Sequence, residues 1–148
     1  MAYADNNIIS LSVSEGSPYI EGFVSGLVGI QPGYIVELQD DGTYQVPATD
    51  PGDPVDRLFA VENQYGWLLG IEGTYTTGTR MFMRHCRAGD IILAFIVSLT
   101  DVSIGDFLTY SGANGRLDIA GAGDDVLGVS LESFIGGSGE QRIKIEVN

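Results

Sequence analysis

The sequence predicts an all-β protein, a small β-barrel or β-sandwich built of hairpins with an extended N-terminal segment. Three observations predict it. Apolar residues recur at every second position in several stretches, the period of a half-buried strand. The 148 residues hold 21 glycines, with Asp-Gly and Asn-Gly pairs between the apolar stretches, which is the chemistry of tight turns. No run shows helical periodicity beyond about two turns; the best helical candidate lies at 62–70.

Taken in order, Ile9, Leu11 and Val13 alternate with Ser10, Ser12 and Ser14. Residues 1–30 hold no basic residue, and Ser and Gly interrupt their apolar positions. They read either as an arm that adds a strand to a neighbouring chain or as the first hairpin of the domain. On the arm reading Ile9, Leu11, Val13 and Tyr19 are candidate contacts. Residues 31–148 form the main β domain. Strands are predicted at 34–39 and 43–47, joined by Asp41-Gly42, and at 58–62. The tract from Pro47 to Pro54 holds three prolines, so it is a loop. A strand over 80–86 precedes Ile91–Val97, whose near-continuous apolar run predicts a strand covered on both faces. Strands at 107–110 and 116–119 flank Asn114-Gly115. Leu127, Val129 and Leu131 alternate with Gly128, Ser130 and Glu132, and Arg142 to Val147 alternates without a break.

An internal repeat runs through this pattern. Gly33-Tyr34-Ile35-Val36 leads through Asp41-Gly42 to Arg57-Leu58-Phe59-Ala60-Val61-Glu62. Gly105-Asp106-Phe107-Leu108 leads through Asn114-Gly115 to Val126-Leu127-Gly128-Val129-Ser130-Leu131-Glu132. Each copy reads Gly, strand, turn, strand, acidic loop, then an apolar strand ending in Glu. Ala88-Gly89-Asp90-Ile91 echoes the opening. Two hairpin-plus-strand units then form the halves of the sandwich or barrel.

Composition bounds the function. The chain is 44% hydrophobic and 18% charged, which is globular. The net charge is −13, and only Arg57 is basic in residues 1–75. That argues against a nucleic-acid partner, which needs clustered Lys and Arg. The longest apolar run is too short to span a bilayer, so no membrane role is expected. The opening Met-Ala-Tyr-Ala-Asp lacks the basic and apolar regions of a signal peptide, so synthesis in a cytoplasm is expected.

Catalytic chemistry finds little to work with. Cys86 is the single cysteine and His85 the single histidine, and neighbours in a strand point to opposite faces. Cys86 is expected to be a packing residue. Carboxylates fall mostly in turns. Zinc needs more Cys and His than this. Asp50, Asp53 and Asp56 offer oxygens for calcium but lack the spacing of a calcium loop. Neither a catalytic, a cofactor nor a metal site is expected. The unusual feature is Arg80, Arg84 and Arg87 with His85, a basic cluster in an acidic chain. It reads as an interface with a partner or as internal pairing across a sheet.

The second half runs Arg84-His85-Cys86-Arg87-Ala88-Gly89-Asp90-Ile91-Ile92-Leu93-Ala94, then Ile104-Gly105-Asp106-Phe107-Leu108, Asn114-Gly115-Arg116-Leu117, Val126 to Glu132, and Arg142-Ile143-Lys144-Ile145-Glu146-Val147. In the order of these motifs it is similar to a family of tailed-bacteriophage head decoration, or cement, proteins. The similarity covers roughly residues 55–148. The resemblance implies a non-enzymatic virion protein on the capsid outer surface. Its partner would be the major capsid protein, and it would form a homo-oligomer, commonly a trimer. The candidate capsid or subunit contacts are then Arg80, Arg84, His85 and Arg87 with Ile9, Leu11, Val13 and Tyr19. The same β grammar suits a phage tail or fibre-base component. It also suits a carbohydrate-binding sandwich using Trp67 and Tyr65.

Overall fold

The computed structural model describes residues 9–12, 19–26, 29–62, 73–97, 100–112, 114–136 and 141–148. The chain is all-β, and the described residues contain no helix. The strands are β1 (Ser10–Ser12), β2 (Tyr19–Phe23), β3 (Glu37–Leu38), β4 (Tyr44–Gln45), β5 (Leu58–Val61), β6 (Arg80–His85), β7 (Ile91–Ile96), β8 (Phe107–Tyr110), β9 (Leu117–Ile119), β10 (Gly128–Ser130) and β11 (Gln141–Val147). The helical candidate at 62–70 lies outside the described residues apart from Glu62.

The second half closes on itself. The order β7-β11-β10-β8-β9 returns to β7 through one parallel pairing of Ile96 with Leu117. The result is a ring of five strands. Alternation explains it: Ile143, Ile145 and Val147 of β11 are buried, while Arg142, Lys144 and Glu146 are partly exposed. Ile92 faces Ile145 and Ala94 faces Ile143 across the β7–β11 ladder. As the sequence predicts, β7 is buried nearly throughout. One side is the ring interior; the other lies under the first half.

The first half repeats this ring. β2 pairs with β6 and β6 with β5. β5 joins the segment before β3 through Ile35 and Phe59, β3 pairs with β4, and Tyr44 returns to Val24 in parallel. The two halves match in a series of backbone bonds. Gly33 N–H donates to the Ala60 carbonyl and Ala60 N–H to Tyr34, as Gly105 does to Ser130 and Ser130 to Asp106. Ser25 N–H donates to Tyr44, as Val97 does to Leu117. Ile30 and Tyr75 exchange both backbone bonds, as Val102 and Phe134 do. Cys86 N–H donates to Arg57, as Asn148 does to Leu127.

The repeat is therefore longer than the motifs reveal. Each unit adds a leading strand, β2 or β7, and a closing strand, β6 or β11. These were illegible as equivalents because only the ring's hydrogen-bond order relates them. β2 itself lacks clean alternation: Glu21 and Gly22 interrupt Tyr19, Ile20 and Phe23.

Recurrent turns start the strands. Gln31–Tyr34, Asp50–Asp53, Arg87–Asp90, Ser103–Asp106 and Gly121–Asp124 each carry a glycine of positive φ at the third position. In each, the fourth residue's N–H donates to the first residue's carbonyl, the form of a type II turn. In four of them the fourth residue is Asp, and in three of these, ending at Asp90, Asp106 and Asp124, its carboxylate accepts the first residue's N–H at 2.7–2.8 Å. Asn114 and Gly115 both hold positive φ, which suits the twist of the β8–β9 hairpin.

The first ring seats on the second through the Gly33 turn. Phe95 N–H donates to the Gly33 carbonyl, and Ile35 N–H donates to Gly115. The Pro47–Pro54 loop follows: Thr49 N–H donates to Gly112 and Gly52 N–H to Tyr110. β1 and β2 do not pair with each other. β1 lies on β7, whereas β2 belongs to the first ring. The described part of residues 1–30 thus packs on its own chain.

Candidate functional site

β6 carries the basic residues, and its geometry splits them. β6 is the central strand between β2 and β5, which buries Met81, Phe82 and Met83. Arg80 stands at one end. His85 is exposed at the other, with Arg87 exposed just beyond it. Five strand steps separate Arg80 from His85, roughly 16 Å. The cluster in the sequence is therefore two sites.

Arg84 lies between them, partly buried, opposite Tyr19 on β2 and Phe59 on β5. Tyr19 is placed by its backbone only. Arg87 sits in the turn into β7, where its N–H donates to Asp90 Oδ2 at 2.8 Å. That bond fixes the backbone and leaves the guanidinium outside.

At the other end, Arg80 faces Phe23 across the β2–β6 ladder. Its guanidinium carbon is 5.9 Å from the Phe23 ring centroid, and Nη1 is 3.5 Å from Glu21 Oε1. Glu21, Gly22, Phe23 and Arg80 line an open depression of about 220 Å³. Both reading options for the cluster meet here: Arg80 is paired internally and still presents itself at the surface.

The N-terminal candidates fall differently. Ile9 is fully buried, so its side chain offers nothing to a partner. Its N–H donates to Glu62 Oε2 at 2.9 Å and its carbonyl accepts from Leu93. Leu11 lies in β1 by its backbone, and Val13 lies outside the described residues. So do Trp67 and Tyr65, the residues of the glycan reading.

Several groups singled out for chemistry have structural work. Glu132 Oε2 accepts the Lys144 N–H at 2.8 Å, so both repeat-ending glutamates cap a backbone donor. Cys86 is buried, and its Sγ is 3.9 Å from the Arg84 carbonyl. Burial, helped by the nearby Asp90 charge, pushes its thiol up to about 12; Arg84 opposes this weakly. His85 is exposed while Cys86 is buried. Asp53 Oδ2 accepts the Thr49 hydroxyl at 2.7 Å. Among the described residues no three His, Cys, Asp or Glu side chains converge to hold a metal ion.

Sequence reasoning missed the aromatic partner of the basic strand. Phe23 was legible only as an apolar residue in a Gly-rich segment, and its pairing with Arg80 needs the β2–β6 register. The chain matches no protein-family model, and no curated protein matches it either.

Proposed function

We propose that this chain is a structural virion protein that binds the outer surface of a phage head and bridges neighbouring capsid subunits. The observation that carries this reading is the exposed Arg87 beside His85 at one end of β6, on a chain of net charge −13. Arg at an interface gives bidentate contacts to carboxylates. The acidic remainder repels polyanions and disfavours association other than at a specific surface. The resemblance of the ordered motifs in residues 55–148 to those of decoration proteins supports the same role.

Mechanism follows from linkage. A protein that binds the intact shell and not its separated parts stabilises the shell. Opening a seam must then also break the bridge across it. Many symmetry-related copies multiply a modest contact. A closed ring of strands resists deformation because it leaves few unpaired edges.

The test is sedimentation of the purified protein with DNA-filled heads that lack it. Saturable, stoichiometric co-sedimentation and a raised disruption temperature are expected. The variant Arg87→Glu should bind heads at least ten-fold more weakly, about 1.4 kcal/mol. Absence of binding to heads overturns the reading, and tails are then the next surface to assay.

A further inference from the structure

The ring-to-ring contact inside the chain uses two surfaces. One is the turn of the first ring: Pro32, Gly33 and Ile35, all buried. The other is the receiving face of the second ring: Phe95, Gly115 and Arg142 meet that turn, and Tyr110 is covered by the Pro47–Pro54 loop that follows it. Arg142 Nε donates to the Pro32 carbonyl at 2.9 Å while its guanidinium carbon lies 4.4 Å from the Phe95 centroid.

Because the rings repeat, each surface exists twice. The hydrogen-bond registers fix the counterparts. Phe95 faces Arg142 as Phe23 faces Arg80. Tyr110 faces Leu117 as Leu38 faces Tyr44. Gly115 closes the β8–β9 hairpin as Gly42 closes the β3–β4 hairpin. The first ring therefore owns a receiving face of its own. The second ring owns a turn of its own, Ser103–Asp106, followed by Phe107.

Both second copies are uncovered. Phe23 is 51% exposed and Leu38 60%, where Phe95 and Tyr110 are buried. Ile104 is 68% exposed and Phe107 59%, where Pro32 and Ile35 are buried. A Cβ on Gly33 would meet the Leu93 carbonyl at 3.0 Å, whereas one on Gly105 would meet nothing within 4 Å. A Cβ on Gly115 would meet Tyr34 at 2.7 Å, whereas one on Gly42 would meet nothing within 4 Å. Four of the six large exposed hydrophobics among the described residues lie on these two surfaces.

We propose that this chain associates head to tail with further copies of itself: the Ser103–Asp106 turn and Phe107 of one copy seat on the Phe23, Leu38 and Arg80 face of the next. The contact repeats the one already made between the rings of a single chain. The Ile104 carbonyl takes the place of Pro32 and accepts from Arg80. Such an interface is heterologous: each copy offers one turn and one face, so the copies close into a ring or extend as a filament.

Two exposed substitutions test it by sedimentation velocity of the purified full chain, without heads. Phe23→Asp disables the face and Ile104→Asp disables the turn. Neither touches the core, and unchanged far-UV circular dichroism verifies the fold. The wild type is expected to sediment as oligomers, and each variant alone as a monomer. A one-to-one mixture of the variants should give dimers and nothing larger, because it restores one working turn and one working face. A wild type that stays monomeric at its solubility limit overturns the proposal. So do variants that associate as the wild type does, or a mixture that stays monomeric, which would mark a symmetric contact. Heads play no part in this assay, so its outcome is separable from that of the capsid reading.

Discussion

The guanidinium of Arg142 covers the ring of Phe95, with 4.4 Å from its carbon to the ring centroid. Tyr34 meets the same ring edge-on, with centroids 5.0 Å apart. A strand of the second ring is thereby locked under a turn of the first. The equivalent pair, Arg80 and Phe23, sits in the open at 5.9 Å. One cation–aromatic pair is structural, and its copy is a surface.

Their energies should differ accordingly. Arg142→Ala removes a desolvated cation–π contact and the bond to Pro32, and is expected to cost about 2–4 kcal/mol. Arg80→Ala, at a solvent-exposed pair, should change stability by no more than about 0.5 kcal/mol. Urea unfolding at low protein concentration measures both. Equal losses would contradict the assignment.

The two turn glycines give a second contrast. Gly33 and Gly105 have φ of 103° and 93°, so alanine at either pays about 1 kcal/mol for the left-handed region. Only at Gly33 does the new methyl also crowd the Leu93 carbonyl and the Phe95 ring. Gly33→Ala should therefore cost about 2 kcal/mol more than Gly105→Ala, by analogy with other overpacked sites. The same unfolding experiment reads it.

Tyr110 ties the Pro47–Pro54 loop to the second ring. Its hydroxyl donates to the Pro47 carbonyl at 2.6 Å and accepts from Gly115 N–H at 3.2 Å. Tyr110→Phe leaves both backbone groups short of a partner and should cost about 1–3 kcal/mol. Burial is the main reason its phenol is pushed up to about 12 from 10. Between those values the unfolded chain has released its proton and the folded chain has not. Stability is thus fully present below pH 10 and falls as pH rises toward 12. The Phe variant should lose Tyr110's share of that alkaline slope in a pH series of unfolding free energies.

Glu62 holds β1 in place through the Ile9 N–H. Glu62→Gln keeps an amide oxygen that can accept this bond, whereas Glu62→Ala orphans a buried donor at about 1–3 kcal/mol. Amide hydrogen exchange at Ile9 and Leu93 should accelerate in the alanine variant and stay near wild type in the glutamine variant. Matching exchange in all three proteins would refute the capping role.

Cys86 should be inert in the folded protein. With its thiol near 12, the reactive thiolate is scarce at neutral pH. A thiol reagent at pH 7 is expected to label it only when denaturant is added, and labelling that outpaces unfolding would be inconsistent with its burial.

Local chemistry in the sequence determined the all-β class, the order of most strands and the turns between them. Period-two alternation placed β11, the unbroken apolar run placed β7, and Asn114-Gly115 placed the β8–β9 hairpin, because these signals act within a few residues. The Gly33 and Gly105 motifs even disclosed a repeat. Tertiary structure alone decided that each repeat closes into a five-strand ring, since closure depends on pairings such as Ile96 with Leu117 and Val24 with Tyr44. It alone divided the basic run of β6, because register sets Arg80 beside Phe23 and sends His85 and Arg87 to the far end. It alone made one copy of each ring surface a core and left the other open. Sequence patterns report whether a side chain prefers water; which equivalent surface is covered depends on where the other ring comes to rest.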